Sequence, residues 1–190
     1  MIRTVWAPLA CAVALLSGCS STPANPQVKQ LHQEVSHLNQ EMRHLTSQAS
    51  AIEIQGQLNS HSTQGAWLVP QANTPVELQT QLGTLRLSLT RLAAEASGAR
   101  ANLTLSATGD GTVPALRARV VWGERDPATG KPLEASSLSQ TIEVPASLLP
   151  RASVTVPLRL SGFAPDQLGF VRVHDVVGDA PAAPTASAAQ

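Results

Sequence analysis

Two hydrophobic periods divide the chain. From Val28 onward apolar residues fall at Val28, Leu31, Val35, Leu38, Met42, Leu45, Ala49 and Ile52, at spacings that alternate between three and four without a break. A helix turns once in about 3.6 residues, so this repeat lays one narrow apolar stripe along a helix over 27–58. It reads as a heptad seam, with Val28, Val35, Met42 and Ala49 at a and Leu31, Leu38, Leu45 and Ile52 at d. The other faces carry Gln, His, Ser and Asn, which suits a helix whose partner is another copy of itself. β-Branched residues at a with Leu at d favour a parallel dimer, with a trimer as the next arrangement. Glu34 and Glu41 fall at g opposite Asn39 and Thr46 at e, so charge does not select a partner. The competing reading is a single amphipathic helix packed back on its own domain. Pro26 fits the first turn and Asn25 the N-cap.

Beyond Ser60–Gly65 the period becomes two. Trp67-Leu68-Val69 is a short strand stopped by Pro70. Alternation then runs through Leu85–Leu89, Ala99–Ala107, Leu116–Trp122, Leu138–Val144, Val154–Leu160 and Leu168–Val177. Strict alternation buries one face and wets the other, the mark of antiparallel strands. Turn signals separate the runs at Ser97-Gly98, Gly109-Asp110-Gly111, Asp126-Pro127 with Gly130, and Pro145 to Pro150. The expected fold is mainly β, an antiparallel β-sandwich over 62–179 preceded by a coiled-coil-like helix. Pro157 marks its run as an edge strand. Trp122 is in phase with Leu116, Ala118 and Val120 and belongs in the core.

Composition narrows the function. The chain has 190 residues, with 13 Lys+Arg against 13 Asp+Glu and no net charge. No basic cluster exists to neutralise phosphates, so nucleic acid is not a partner. Aromatics are 3 % and Tyr is absent, which leaves few stacking platforms for sugars or bases. The two Cys lie outside any CxxC spacing, so thiolates cannot cage zinc.

The N-terminus is a targeting segment. Met1 and Arg3 precede an apolar run from Val5 to Leu16 that is too short to span a bilayer permanently. Leu16-Ser17-Gly18-Cys19 follows. This resembles the lipobox of bacterial lipoproteins. The resemblance implies cleavage after residue 18, a diacylglycerol thioether on Cys19 and an acyl chain on its amine. Cys11 leaves with the signal, so the mature chain has no disulfide, and its only attached group is that lipid. Several acyl chains give lasting membrane attachment where one gives marginal binding. Ser20 in place of the inner-membrane Asp signal points to the outer membrane, facing the periplasm. Residues 19–26 read as a flexible tether and 180–190, all Ala, Pro, Thr, Ser and Gln, as a disordered tail.

Two further resemblances follow. Leu160-Ser-Gly-Phe163-Ala-Pro165-Asp166 before Phe170-Val-Arg-Val173 is similar to the corner that opens the penultimate strand of fibronectin type III and immunoglobulin-like domains. Val171 and Val173 are one step out of phase with Phe170, so either a bulge intervenes or Phe170 is not the corner aromatic. Lipobox, heptad helix and small β-domain together resemble the uncharacterised YajI-type outer-membrane lipoproteins of proteobacteria.

Chemistry is thin. His37 and His44 are two turns apart on a helix, about 10 Å, too far to share an ion, and His32 is not aligned with them. Adjacent strand residues face opposite ways, so His174 and Asp175 are not expected to bond. Glu124 and Asp126 have a spacing that could flank a sugar, but their neighbours describe a solvated hairpin. Arg117 and Arg119 share a face and could take an anion or simply solvate a strand. The expectation is a non-enzymatic envelope lipoprotein that self-associates and binds an unknown envelope protein. The alternative is a peptidoglycan- or glycan-binding module.

Overall fold

The computed structural model describes residues 26–60, 62 and 64–179. They fall into two units divided within the single helix, after Arg43. The signal segment, Asn25 and the tail from 180 lie outside the described residues.

Helix α1 spans Pro26–Ser60. In the first unit it is the whole of the described structure. In the second, its residues from His44 join eight strands: β1 Ala66–Leu68, β2 Val76–Thr80, β3 Gly83–Glu95, β4 Gly98–Ala107, β5 Leu116–Gly123, β6 Leu138–Val144, β7 Ser153–Ser161 and β8 Phe170–Gly178. They form two four-stranded sheets, β1-β8-β5-β6 and β2-β3-β4-β7, paired antiparallel throughout. The chain crosses between sheets at β1–β2, β4–β5, β6–β7 and β7–β8.

Alternation explains the core. Leu85, Leu87, Leu103, Leu105, Leu158 and Leu160 of one sheet meet Leu116, Val120, Trp122, Val171 and Val173 of the other in one buried cluster. Burying each such side chain stabilises by roughly 1.5–3 kcal/mol. The Trp122 indole N–H, otherwise stranded there, donates to Ser161 O at 3.0 Å. β7, with Pro157, is the outer strand of its sheet, where a missing N–H breaks no ladder. β2 was not anticipated, because only Val76 and Leu78 of its five residues are buried.

Phe170 resolves the phase conflict. It is fully buried but on the face opposite Val171 and Val173, with its ring 5.2 Å from that of Trp67 on the sheet's outer side. It is therefore not an aromatic of the inter-sheet core. β1 enters through Gly65 at φ 91°, where a Cβ would meet Val173 O at 2.5 Å, so the chain can approach β8 only as glycine.

Candidate functional site

The last four turns of α1 lie against β1 and the segment after it. Ala51, with Ile54 and Leu58, packs on Val69 and Ala72. Gln55, only 4 % exposed, accepts the Val69 N–H at 2.8 Å through Oε1. Its Nε2 donates to Thr74 Oγ1 at 2.9 Å and Thr74 O at 3.2 Å. One turn on, Asn59 Oδ1 accepts the Trp67 N–H at 2.9 Å and Nδ2 donates to Trp67 O at 2.8 Å. β1 is an edge strand with unpaired peptide groups on one side. Two side-chain amides, spaced i and i+4 on the helix, take the place of the next strand.

The docking residues Gln48, Ala51, Gln55 and Leu58 form a stripe of their own. At about 100° per residue it lies roughly 110° around the helix from Leu45, Ala49 and Ile52. Those three seam residues are exposed although the same turns are docked. The large seam residues Val28, Leu31, Val35, Leu38, Met42, Leu45 and Ile52 range from 42 % exposed at Ile52 to 64 % at Leu45. The stripe that the heptads mark is therefore not the stripe that holds the helix to its own domain. Cys19 lies outside the described residues.

The remaining candidates separate. His32 Nδ1 lies 2.7 Å from Val28 O, and His37 pairs with Glu41 at 3.5 Å. Among the described residues no three His, Cys, Asp or Glu side chains gather as a metal set. Asp126 Oδ1 accepts the N–H groups of Ala128 at 2.8 Å and Thr129 at 3.0 Å. These donors, Thr129 first, hold its carboxyl below the usual carboxylate range and make it the staple of the 126–131 turn. Arg117 is occupied by Asp179 at 2.8 Å and Glu143 at 3.6 Å.

One expectation is overturned. His174 Nδ1 lies 3.1 Å from Asp175 Oδ2. Asp175 has φ 51°, and the β5–β8 pairing slips between Arg117 and Arg119. This bulge breaks the alternation that would have turned the two side chains apart. Sequence reasoning also passed over Gln55 and Asn59. The signal for Gln55 was the 48, 51, 55, 58 spacing, obscured because half of that stripe is polar, and Asn59 had only its place four residues after Gln55.

Comparison with known proteins places this architecture. A family model described as a protein of unknown function, DUF3251, matches residues 23–184. The uncharacterised lipoprotein YajI of Escherichia coli is 37 % identical over 161 residues, which is 85 % of this chain and 90 % of that protein. The solution structure of E. coli YajI superposes with a TM-score of 0.67 at 33 % identity, over 75 % of this chain and 85 % of that one. A Salmonella enterica protein described as the trimeric lipoprotein SadB shares the fold, with a TM-score of 0.53 at 20 % identity over 81 % and 86 %. No helix among the described residues is long and apolar enough to cross a membrane.

Proposed function

The chain belongs to the DUF3251 family of proteins of unknown function, and we propose that it is a non-enzymatic envelope lipoprotein that self-assembles through α1 and presents its β-domain to another envelope protein. The observation that carries this is the division of labour on the helix. Gln55 and Asn59 hold one stripe to β1, and the heptad stripe stays exposed beside them. A run of exposed Leu, Val, Met and Ile at a and d has a natural cover in the same run of a second copy, knobs into holes.

Anchoring favours the assembly. Acyl chains on Cys19 would confine copies to one surface and raise their effective concentration. Lipoprotein relatives support the anchor, and Ser20 supports the outer membrane, facing the periplasm. The seam accepts two or three strands, and the trimeric description of the Salmonella relative makes three copies the expected mass. We read the two sheets as an immunoglobulin- or fibronectin-III-like sandwich, supported by the four crossings between sheets and the Pro165 corner before β8.

Sedimentation tests the reading. The chain from Ser20 onward carries every described element and should sediment as an oligomer that dissociates on dilution. Leu38→Asp would bury an unpaired carboxylate in the seam, and should give monomers with an unchanged circular dichroism spectrum of the sheets. A monomer before and after the substitution, at concentrations up to those of a membrane surface, refutes self-assembly.

A further inference from the structure

The outer face of the sheet β1-β8-β5-β6 carries three arginines that are unequally neutralised. Arg117 holds two carboxylates. Among the described residues neither Arg119 nor Arg172 has a carboxylate at ion-pair distance. Register places Arg172 between Trp67 of β1 and Val121 of β5, with Ser139 of β6 next in the row. Arg119 lies in the neighbouring row, opposite His174 and Thr141.

Arg172 is fixed before any ligand arrives. Its guanidinium carbon sits 4.7 Å from the centre of the Trp67 ring, and Nη2 donates to Gln64 O at 2.9 Å. Its Nε is buried with no acceptor, so its donors are under-used where a polar group costs most. Two grooves meet at this side chain. One, of about 520 Å³, runs between α1 and the 129–134 loop and has an apolar wall from Ile54, Leu58 and Pro132; Lys131 lies at its side, and Glu134, the one carboxylate among the described lining residues, borders both grooves and is outnumbered there by Arg119, Lys131 and Arg172. The other, of about 260 Å³, reaches Arg119, Ser137 and Ser139.

We infer that this arginine face binds a carboxylate of an extended peptide segment from a partner protein. A planar guanidinium matches a carboxylate in a two-pronged geometry, and a stacked Arg loses little rotamer freedom on binding. The apolar wall beside it suits the aliphatic side chain next to that carboxylate. Ser139 offers a hydroxyl to its peptide groups, and Ser137 Oγ, which already donates to Glu134 O at 2.7 Å, offers an acceptor. A sugar is a poorer fit, because Trp67 is buried beneath Arg172 and presents no open stacking face. The inference supplies the chemistry of the partner left open above and stands whether or not the chain self-assembles.

The test is a titration of the chain from Ser20 onward with acetyl-Leu-Ala-Glu bearing a free terminal carboxylate. The control is acetyl-Leu-Ala-Gln amide. The Arg172 Nε–H resonance and the emission of Trp67 report binding. The carboxylate peptide should give a saturable shift at both probes, weakened by salt, and the amide should bind at least about tenfold more weakly. Arg119→Gln, an exposed change, should cost about tenfold in affinity with the fold intact. Arg172→Lys keeps the charge but loses the planar fork and should cost at least as much. Should that variant fail to fold, Arg119→Gln still decides. Equal binding of the two peptides, or no saturable shift, overturns the inference. A disaccharide muropeptide that moves these probes when the linear peptide does not overturns the peptide class.

Discussion

Gln55→Leu isolates the lock between helix and sheet. Gln55 is the polar residue buried among the described core residues, and leucine is close to it in volume, so no large cavity opens. The substitution leaves the Val69 N–H, in a residue 2 % exposed, without its acceptor. An orphaned buried donor costs about 1–3 kcal/mol. Thr74 loses a donor to its hydroxyl and carbonyl, both partly buried, for a further ~0.5–1.5 kcal/mol. The total is about 2–4 kcal/mol, concentrated in the docked turns and β1. Local opening has its own free energy, so Val69 amide exchange should accelerate about 30- to 1,000-fold while amides of β4 change little. Urea unfolding followed by Trp emission reads the global part, and hydrogen exchange reads the local part. A loss below about 0.5 kcal/mol with unaltered Val69 protection would refute the lock.

Gln55→Glu adds a test of sign. The introduced carboxyl keeps the Val69 N–H on one oxygen, which favours its charge, but burial and the approach of its other oxygen to Thr74 O both disfavour the charged form and outweigh that one donor. Its folded pKa is then raised above the unfolded value of about 4.3. In that window the folded state binds more protons, so stability falls as pH rises. The deficit against wild type should be smallest below about pH 4 and full once pH exceeds the raised value.

Other expectations are independent of the lock. Cys19→Ala should abolish incorporation of labelled palmitate and leave an unprocessed or released chain; persistent labelling would sink the lipobox reading. Ala49→Leu should strengthen self-assembly, since filling that a position adds about three buried carbons at ~0.8 kcal/mol each, read as a lower dissociation concentration in sedimentation. Trp122→Ala should cost about 3–5 kcal/mol, because the ring fills the core and its N–H bonds Ser161 O. An unchanged melting temperature would contradict that placement.

What could be read from the chain depended on whether a side chain followed a simple period. The strands from β3 to β8 are seven to thirteen residues long, and each alternates over enough of that length, outside the bulges of β3 and β8, for period two to dominate. β2 offered two buried residues in five, fewer than a pattern needs. The His174–Asp175 contact depends on a left-handed backbone at a non-glycine residue, which pairing with β5 imposes and no local residue announces. Arg172 carries no signal of its own in the sequence. Its stacking on Trp67 arises from register between β1 and β8, sequence positions more than a hundred apart. The lipobox-like signal at Cys19 is legible from four residues because such signals are linear and not set by a fold.

The chemistry of the docking stripe bears on how one helix would serve two surfaces if the proposed self-assembly holds. Had residues 55 and 59 been leucines, α1 would carry two adjacent apolar stripes, and either could settle on the sheet or on another copy. Amides remove that ambiguity. Gln55 and Asn59 are satisfied only where free peptide N–H and C=O groups await them, at the outer edge of β1 and at Thr74. Placed in a seam between helices, the same amides would lose most of those partners, at about 1–3 kcal/mol for each group left buried and unpaired. Leu45 and Ile52 would in turn leave the edge of β1 unbonded if they replaced the amides against it. The polar stripe thus selects its surface by hydrogen bonding and leaves the apolar stripe to the proposed association, so that each would penalise the other's contact.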